Sequence, residues 1–217
     1  MRRFTIAAAT ALLLAGLAAP GQVRAMSIGV YAGAGDGAAD FDNSDGDGFI
    51  RTHDTRHTGG GVVFDASTPR HPLGYRLSLG WERIVNDPAG AEPGLTMQGL
   101  VVDQDLTVNL LNSPGQLRLW AGPELRLGFL KGSPDGVPGG DQDFLAIGIG
   151  PVLGLDIDVG PALLVSWKLG YLVTSYSGDR GSTFDSRDDT TLSEGHAFAN
   201  IALLFRTWGG YRERPAP

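Results

Sequence analysis

The residues best suited to do chemistry lie toward the C-terminal end of the chain, where Ser193, Glu194 and His196 follow Asp188 and Asp189. Nucleophile, base and carboxylate types stand together there, as a hydrolytic triad requires. Proximity along a chain does not align such groups, and a polar connecting segment contains these residues in any case. The expectation is therefore no catalytic residue, with an outer-membrane acyl hydrolase or transferase as the enzymatic alternative. His53 and His57 form a second set. Four-residue spacing converges two imidazoles on a helix but not in a loop, so no metal is assigned to the pair. The third set, residues 43–54, follows the spacing of a twelve-residue calcium loop. Its oxygen donors would be Asn43, Asp45, Asp47, the Phe49 carbonyl and Asp54, with Gly48 at the turn and Ile50 at the apolar position. Asn stands where the first Asp is usual and Asp where the last, bidentate Glu is usual. An acidic solvated loop is expected, with weak Ca2+ binding as the alternative and no other cofactor.

The elements that must position these groups begin after a leader. Arg2 and Arg3 precede an apolar run from Phe4 to Ala19, and Val23-Arg24-Ala25 places small residues three and one positions before a break. This is the three-part form of a secretory signal peptide, so residues 1–25 are expected to be removed. The formal charge of −7 becomes −10 once Arg2, Arg3 and Arg24 leave with the leader. Such acidity argues against nucleic-acid binding. With no cysteine, neither disulfides nor thiolate metal sites can form.

Beyond the leader no apolar run is long enough for a membrane helix, and period-two alternation dominates instead. From Leu73 to Trp81 one face reads Leu, Tyr, Leu, Leu, Trp and the other carries Gly74, Arg76, Ser78 and Gly80. The pattern recurs at 116–129 and 144–159. Weaker copies at 27–35, 58–66, 96–111, 162–176 and 192–207 bring the total to eight. The connections alternate in length: 36–57 is long and 67–72 short, 86–94 longer and 112–115 tight, 132–142 long and 160–161 minimal, and 177–191 long. Short turns on the periplasmic side and long loops outside are the order of transmembrane β-barrels.

In this pattern and order, over nearly all of residues 27–208, the chain resembles the small eight-stranded outer-membrane barrels of the OmpA/OmpX kind. It departs from them at the C-terminus, where Phe205 and Trp208 are followed by a tail, residues 209–217. The resemblance implies an all-β, closed, antiparallel up-and-down barrel across residues 26–208. It also implies an outer-membrane location, with outer-membrane lipid and the barrel-assembly machinery as partners and a monomeric state.

The faces follow from the residues. The polar set is rich in glycine, as the crowded inside of a narrow barrel requires, and the apolar set carries Tyr75, Trp81, Phe129 and Phe205 near strand ends, where interfacial girdles lie. The polar face also holds Arg76, Arg118, Arg126, Lys168 and Arg206 against Glu82, Asp103, Asp105, Glu124, Asp156 and Asp158. An eight-stranded barrel is just wide enough for its side chains to fill it. These charges must pair, and counting from the turns sets Arg76 opposite Asp105 and Arg118 near Asp156. The reading is a barrel plugged by paired charges, with a structural or surface-interaction role carried by external loops. A soluble lipocalin-like barrel binding an apolar ligand, with the faces exchanged, is the alternative.

Overall fold

A computed structural model describes residues 26–42, 51–67, 72–88, 94–113, 116–134, 142–180 and 189–207. The strands are β1 (Ser27–Asp42), β2 (Arg51–Asp65), β3 (Leu73–Pro88), β4 (Leu95–Ser113), β5 (Leu117–Pro134), β6 (Gln142–Asp158), β7 (Leu163–Arg180) and β8 (Asp189–Arg206). Each pairs antiparallel with its sequence neighbour, and β1 pairs with β8, so the sheet closes without an edge. The closing register sets Ile28 against Phe205 and Gly37 against His196. One irregularity, between Asn109 and Leu111 of β4, offsets the ladder beside the tight turn to β5.

Over the middle of every strand the apolar face points outward. Val30, Leu79, Leu100, Ile149, Leu169 and Ile201 are exposed, while Arg76, Asp103, Glu124, Arg126, Asp156 and Lys168 are buried within. A soluble lipocalin-like barrel would show the reverse, and that alternative is set aside on this observation. A belt of this size around the molecule would be untenable in water and is the expected surface in hydrocarbon. Trp81 and Phe129, 58% and 56% exposed, mark its outer rim, and Phe205 its periplasmic rim.

The strands reach further outward than the alternation predicts. β1 continues past Gly35 to Asp42, β2 begins at Arg51 rather than near 58, and β8 begins at Asp189. The physical reason is an inversion of phase. Beyond the belt, Arg83, Gln98, Lys131, Asp143 and Ser193 face outward, while their neighbours Ile84, Met97, Leu130, Phe144 and Leu192 are buried inside. Past the lipid the exterior becomes polar and the interior apolar, so the pattern that marks the membrane segment breaks although the sheet does not. The inward apolar groups join Ala39, Val101, Ala146 and Tyr176 in one cluster that caps the lumen on its outer side. A smaller cluster of Val63, Leu164, Ala202 and Leu204 lies at the periplasmic end, with Tyr31 packed against it.

Candidate functional site: a layered lumen with a histidine cluster

Around and between these apolar clusters the lumen is filled by charge, with a third apolar group, Trp120, Val152, Leu172 and Phe198, set among the ion pairs. Nearest the periplasm, Arg206 pairs with Asp158. Above them, Arg76 Nη2 lies 2.6 Å from Asp65 Oδ2 and 3.2 Å from Asp156 Oδ1, and its Nη1 donates to Ser166 Oγ at 2.9 Å. Arg118 Nη1 completes the layer at 3.4 Å from Asp65 and 3.2 Å from Asp156. Trp120 donates its indole N–H to Asp156 at 3.2 Å and lies under the Arg76 guanidinium, 4.6 Å from ring centroid to Cζ. The ring has room only because β6 carries Gly154 opposite it: a Cβ there would sit 2.1 Å from the indole.

The next layers rise toward the outside. Lys168 Nζ lies 2.7 Å from Glu124 and 3.3 Å from Asp105. Arg126 Nε donates to Asp103 at 2.8 Å and its Nη1 to Glu82 at 3.0 Å. Glu82 Oε1 then lies 3.0 Å from His57 Nδ1, and the other nitrogen of that ring, Nε2, lies 2.6 Å from Glu194 Oε1. Tyr176 donates its hydroxyl to Glu194 Oε2 at 2.5 Å, and Thr55 donates to Oε1. His196 stacks on His57, with centroids 4.1 Å apart and planes 16° from parallel.

Counting from the turns gives the correct lateral register for both pairs it names, since Arg76 stands opposite Asp105 and Arg118 opposite Asp156. Lateral register does not by itself decide partners. Arg76 turns from Asp105 to its other lateral neighbour, Asp65 on β2, and reaches across the lumen to Asp156, while Asp105 goes to Lys168, because in so narrow a barrel a long side chain meets the far wall as readily as its neighbour. The lumen also holds Asp65, Thr55, His57, Tyr176, Glu194 and His196, beyond the charged set that the alternation predicts. The phase of β2, with Val62 exposed outward, was enough to turn Asp65 inward.

The histidine pair falls on a strand and not in a loop: His53 and His57 both face inward from β2, and only His57 joins Glu194 and His196. The Ser193, Glu194, His196 grouping is split by the strand's period of two, Ser193 facing outward while the other two face in. Asp188 lies outside the described residues. Of the calcium-loop set, Asn43, Asp45, Asp47 and Phe49 lie outside them as well, while Asp54 stands exposed in β2 opposite Ala38 and Asp87.

Taken together, the enclosed carboxylates among the described residues above the Asp158–Arg206 pair are Asp65, Glu82, Asp103, Asp105, Glu124, Asp156 and Glu194. The enclosed arginines and lysine are Arg76, Arg118, Arg126 and Lys168, so carboxylates exceed them by three, and His57 stands between two of the carboxylates. The excess lies wholly in the outer layers, because the Arg76 and Arg118 layer is balanced.

No protein-family model matches the chain, and no curated protein matches it. Solved structures do. The outer membrane protein OprG from Pseudomonas aeruginosa is 13% identical and superposes with a TM-score of 0.55, over 85% of this chain and 96% of that one. The outer membrane protein AlkL is 9% identical over 90% of this chain and 96% of its own, with a TM-score of 0.49. Ail, the attachment invasion locus protein of Yersinia pestis, is 12% identical over 83% and 98%, with a TM-score of 0.42. The OprG match shows the fold. The chain is a closed eight-stranded barrel with the fold of an outer-membrane barrel and an apolar belt on its outer face.

Proposed function

We propose that the protein is a closed, non-conducting outer-membrane barrel that acts as a monomer and serves as a rigid mount for its external segments, which carry a structural or surface-interaction role. One observation supports this above the others: the lumen is occupied along its length, by apolar clusters and by interlocked ion pairs packed among them. An ion crossing it would have to part several buried pairs, and leaving even one buried charge without its partner costs about 3 to 5 kcal/mol. Transport is therefore a poor use for this interior, and the external surface is left as the working part. The acidic stretch at residues 43–54 is the segment there with a composition suited to a weakly held hard cation.

Catalysis receives no support from the geometry of the residues that suggested it, since Ser193 lies on the opposite face of the sheet from Glu194 and His196. Planar-bilayer recording with purified, heat-modifiable monomer tests the reading. No steady conductance is expected, and persistent water-filled channels from the monomer would overturn it.

A further inference from the structure

His196 is 1% exposed, and neither of its ring nitrogens has a hydrogen-bond partner. A buried imidazole in that state has given up water for nothing in return, although Glu194 Oε2 lies 3.8 Å from its Nδ1. Among the described residues, one group of three potential metal ligands converges, and it is His57, Glu194 and His196, whose ligand atoms all lie within 4.8 Å of one another. We propose that these three residues form a binding site for one divalent first-row transition-metal ion, which fastens β2 to β8 across β1.

The surroundings have the features such a site needs. A ligating histidine almost always gives its second N–H to a carboxylate, which fixes ring and tautomer. His57 does so: its Nδ1 is held by Glu82, itself clamped by Arg126, and its Nε2 is aimed at Glu194. Tyr176 donates to the other oxygen of the Glu194 carboxylate, Oε2, and Thr55 donates to the Oε1 that His57 meets. Bonds of about 2.0 Å in a tetrahedral arrangement place ligand atoms about 3.3 Å apart, so small side-chain rotations suffice. The ion takes the place of the hydrogen between His57 Nε2 and Glu194 and releases that proton to solvent. Two imidazoles and one carboxylate select a metal of the zinc, nickel or copper kind over calcium or magnesium. The charge excess in the outer layers supplies a field that favours a dication.

The backbone is cut to fit. β1 separates β2 from β8, and ligands from those two strands can meet only if β1 keeps out of the way. It presents Gly35 opposite His57 and Gly37 opposite His196; a Cβ on Gly37 would lie 2.5 Å from the His196 Cβ. A recess lined by His57, Glu82, Asp103 and Arg126 lies beside the cluster.

The test uses the untagged, folded, chelator-treated protein in detergent. Calorimetric titration with ZnSO4 is expected to show one ion per chain at micromolar affinity or tighter. Co2+ is expected to give the visible absorption of a four- or five-coordinate ion, and X-ray absorption of the zinc form to show two imidazoles. His196→Gln and Glu194→Gln should each weaken zinc at least about 100-fold, and Glu82→Gln, which acts only through the ring it holds, about 10- to 100-fold. Asp45→Ala with Asp47→Ala should leave zinc binding as in the parent. Millimolar binding, an all-oxygen coordination shell, or parent-like affinity in folded His196→Gln and Glu194→Gln would overturn the proposal. If those variants fail to fold, the parent's cobalt and X-ray absorption spectra decide it alone.

Discussion

The periplasmic and outer halves of the lumen are built from the same residue types to different ends. In the periplasmic half, Arg76 and Arg118 meet Asp65 and Asp156 one for one, with Trp120 and Ser166 taking up further hydrogen bonds. In the outer half, Lys168 and Arg126 face Asp105, Glu124, Asp103 and Glu82, Glu194 is met by His57, and His196 has no hydrogen-bond partner. A layer matched in charge holds the barrel shut and carries no net charge to attract an ion. An unmatched layer has binding capacity to spare, so the halves should respond differently to the loss of a single group.

The largest effect is expected from Arg76→Leu, which removes the centre of the matched layer and leaves Asp65 and Asp156 with Arg118 alone. A cost of about 3 to 5 kcal/mol in urea unfolding of the vesicle-inserted barrel is expected. A loss below about 1 kcal/mol would remove the distinction between the halves. Leu125→Arg provides a reference on the lipid side, independent of the lumen, with an expected cost of about 2 to 4 kcal/mol near the midplane in the same assay.

Glu124→Gln sharpens the contrast. Its Oε1 has no hydrogen-bond partner, and Lys168 keeps Asp105, so the substitution relieves part of the excess and should cost less than about 1 kcal/mol even though the site is fully buried. A cost equal to that of Arg76→Leu would show that the outer half is locked as firmly as the inner. The smallest effect should come from Gly160→Ala in the tight β6–β7 connection, where a Cβ meets nothing within 4 Å. A change within about 0.5 kcal/mol in the same unfolding measurement is expected.

How much of this could be read along the chain depended on which solvent each face meets. β3, β5 and β6 were legible because Leu77, Leu125 and Ile149 face lipid while Arg76, Glu124 and Gly150 face the lumen, a contrast that alternation reports directly. The outer ends of the same strands were not, because at Arg83 and Ile84, or Asp143 and Phe144, the contrast reverses and reads as loss of pattern. Lateral neighbours such as Arg118 and Asp156 came from register; contacts across the lumen such as Arg76 with Asp156 did not, since they depend on closure and on rotamer length. The histidine cluster was hidden for the same reason. His57 and Glu194 are 137 residues apart, and only the pairing of the first strand with the last, with glycines at the crossing, brings them together.

The inversion of phase beyond Trp81 and Phe129 has a consequence for height. Sixteen residues of β3, at about 3.3 Å each and tilted about 40°, climb roughly 40 Å, whereas the apolar band of such barrels is about 25 Å tall. The difference leaves a stiff, ion-studded parapet roughly 15 Å tall, with its own dry filling of Ile84, Met97, Leu130 and Phe144. Since a headgroup layer is only about 5 to 8 Å deep on each side, whatever the external segments meet is met clear of the lipid surface, from a hydrogen-bonded rim and not from the end of a tether.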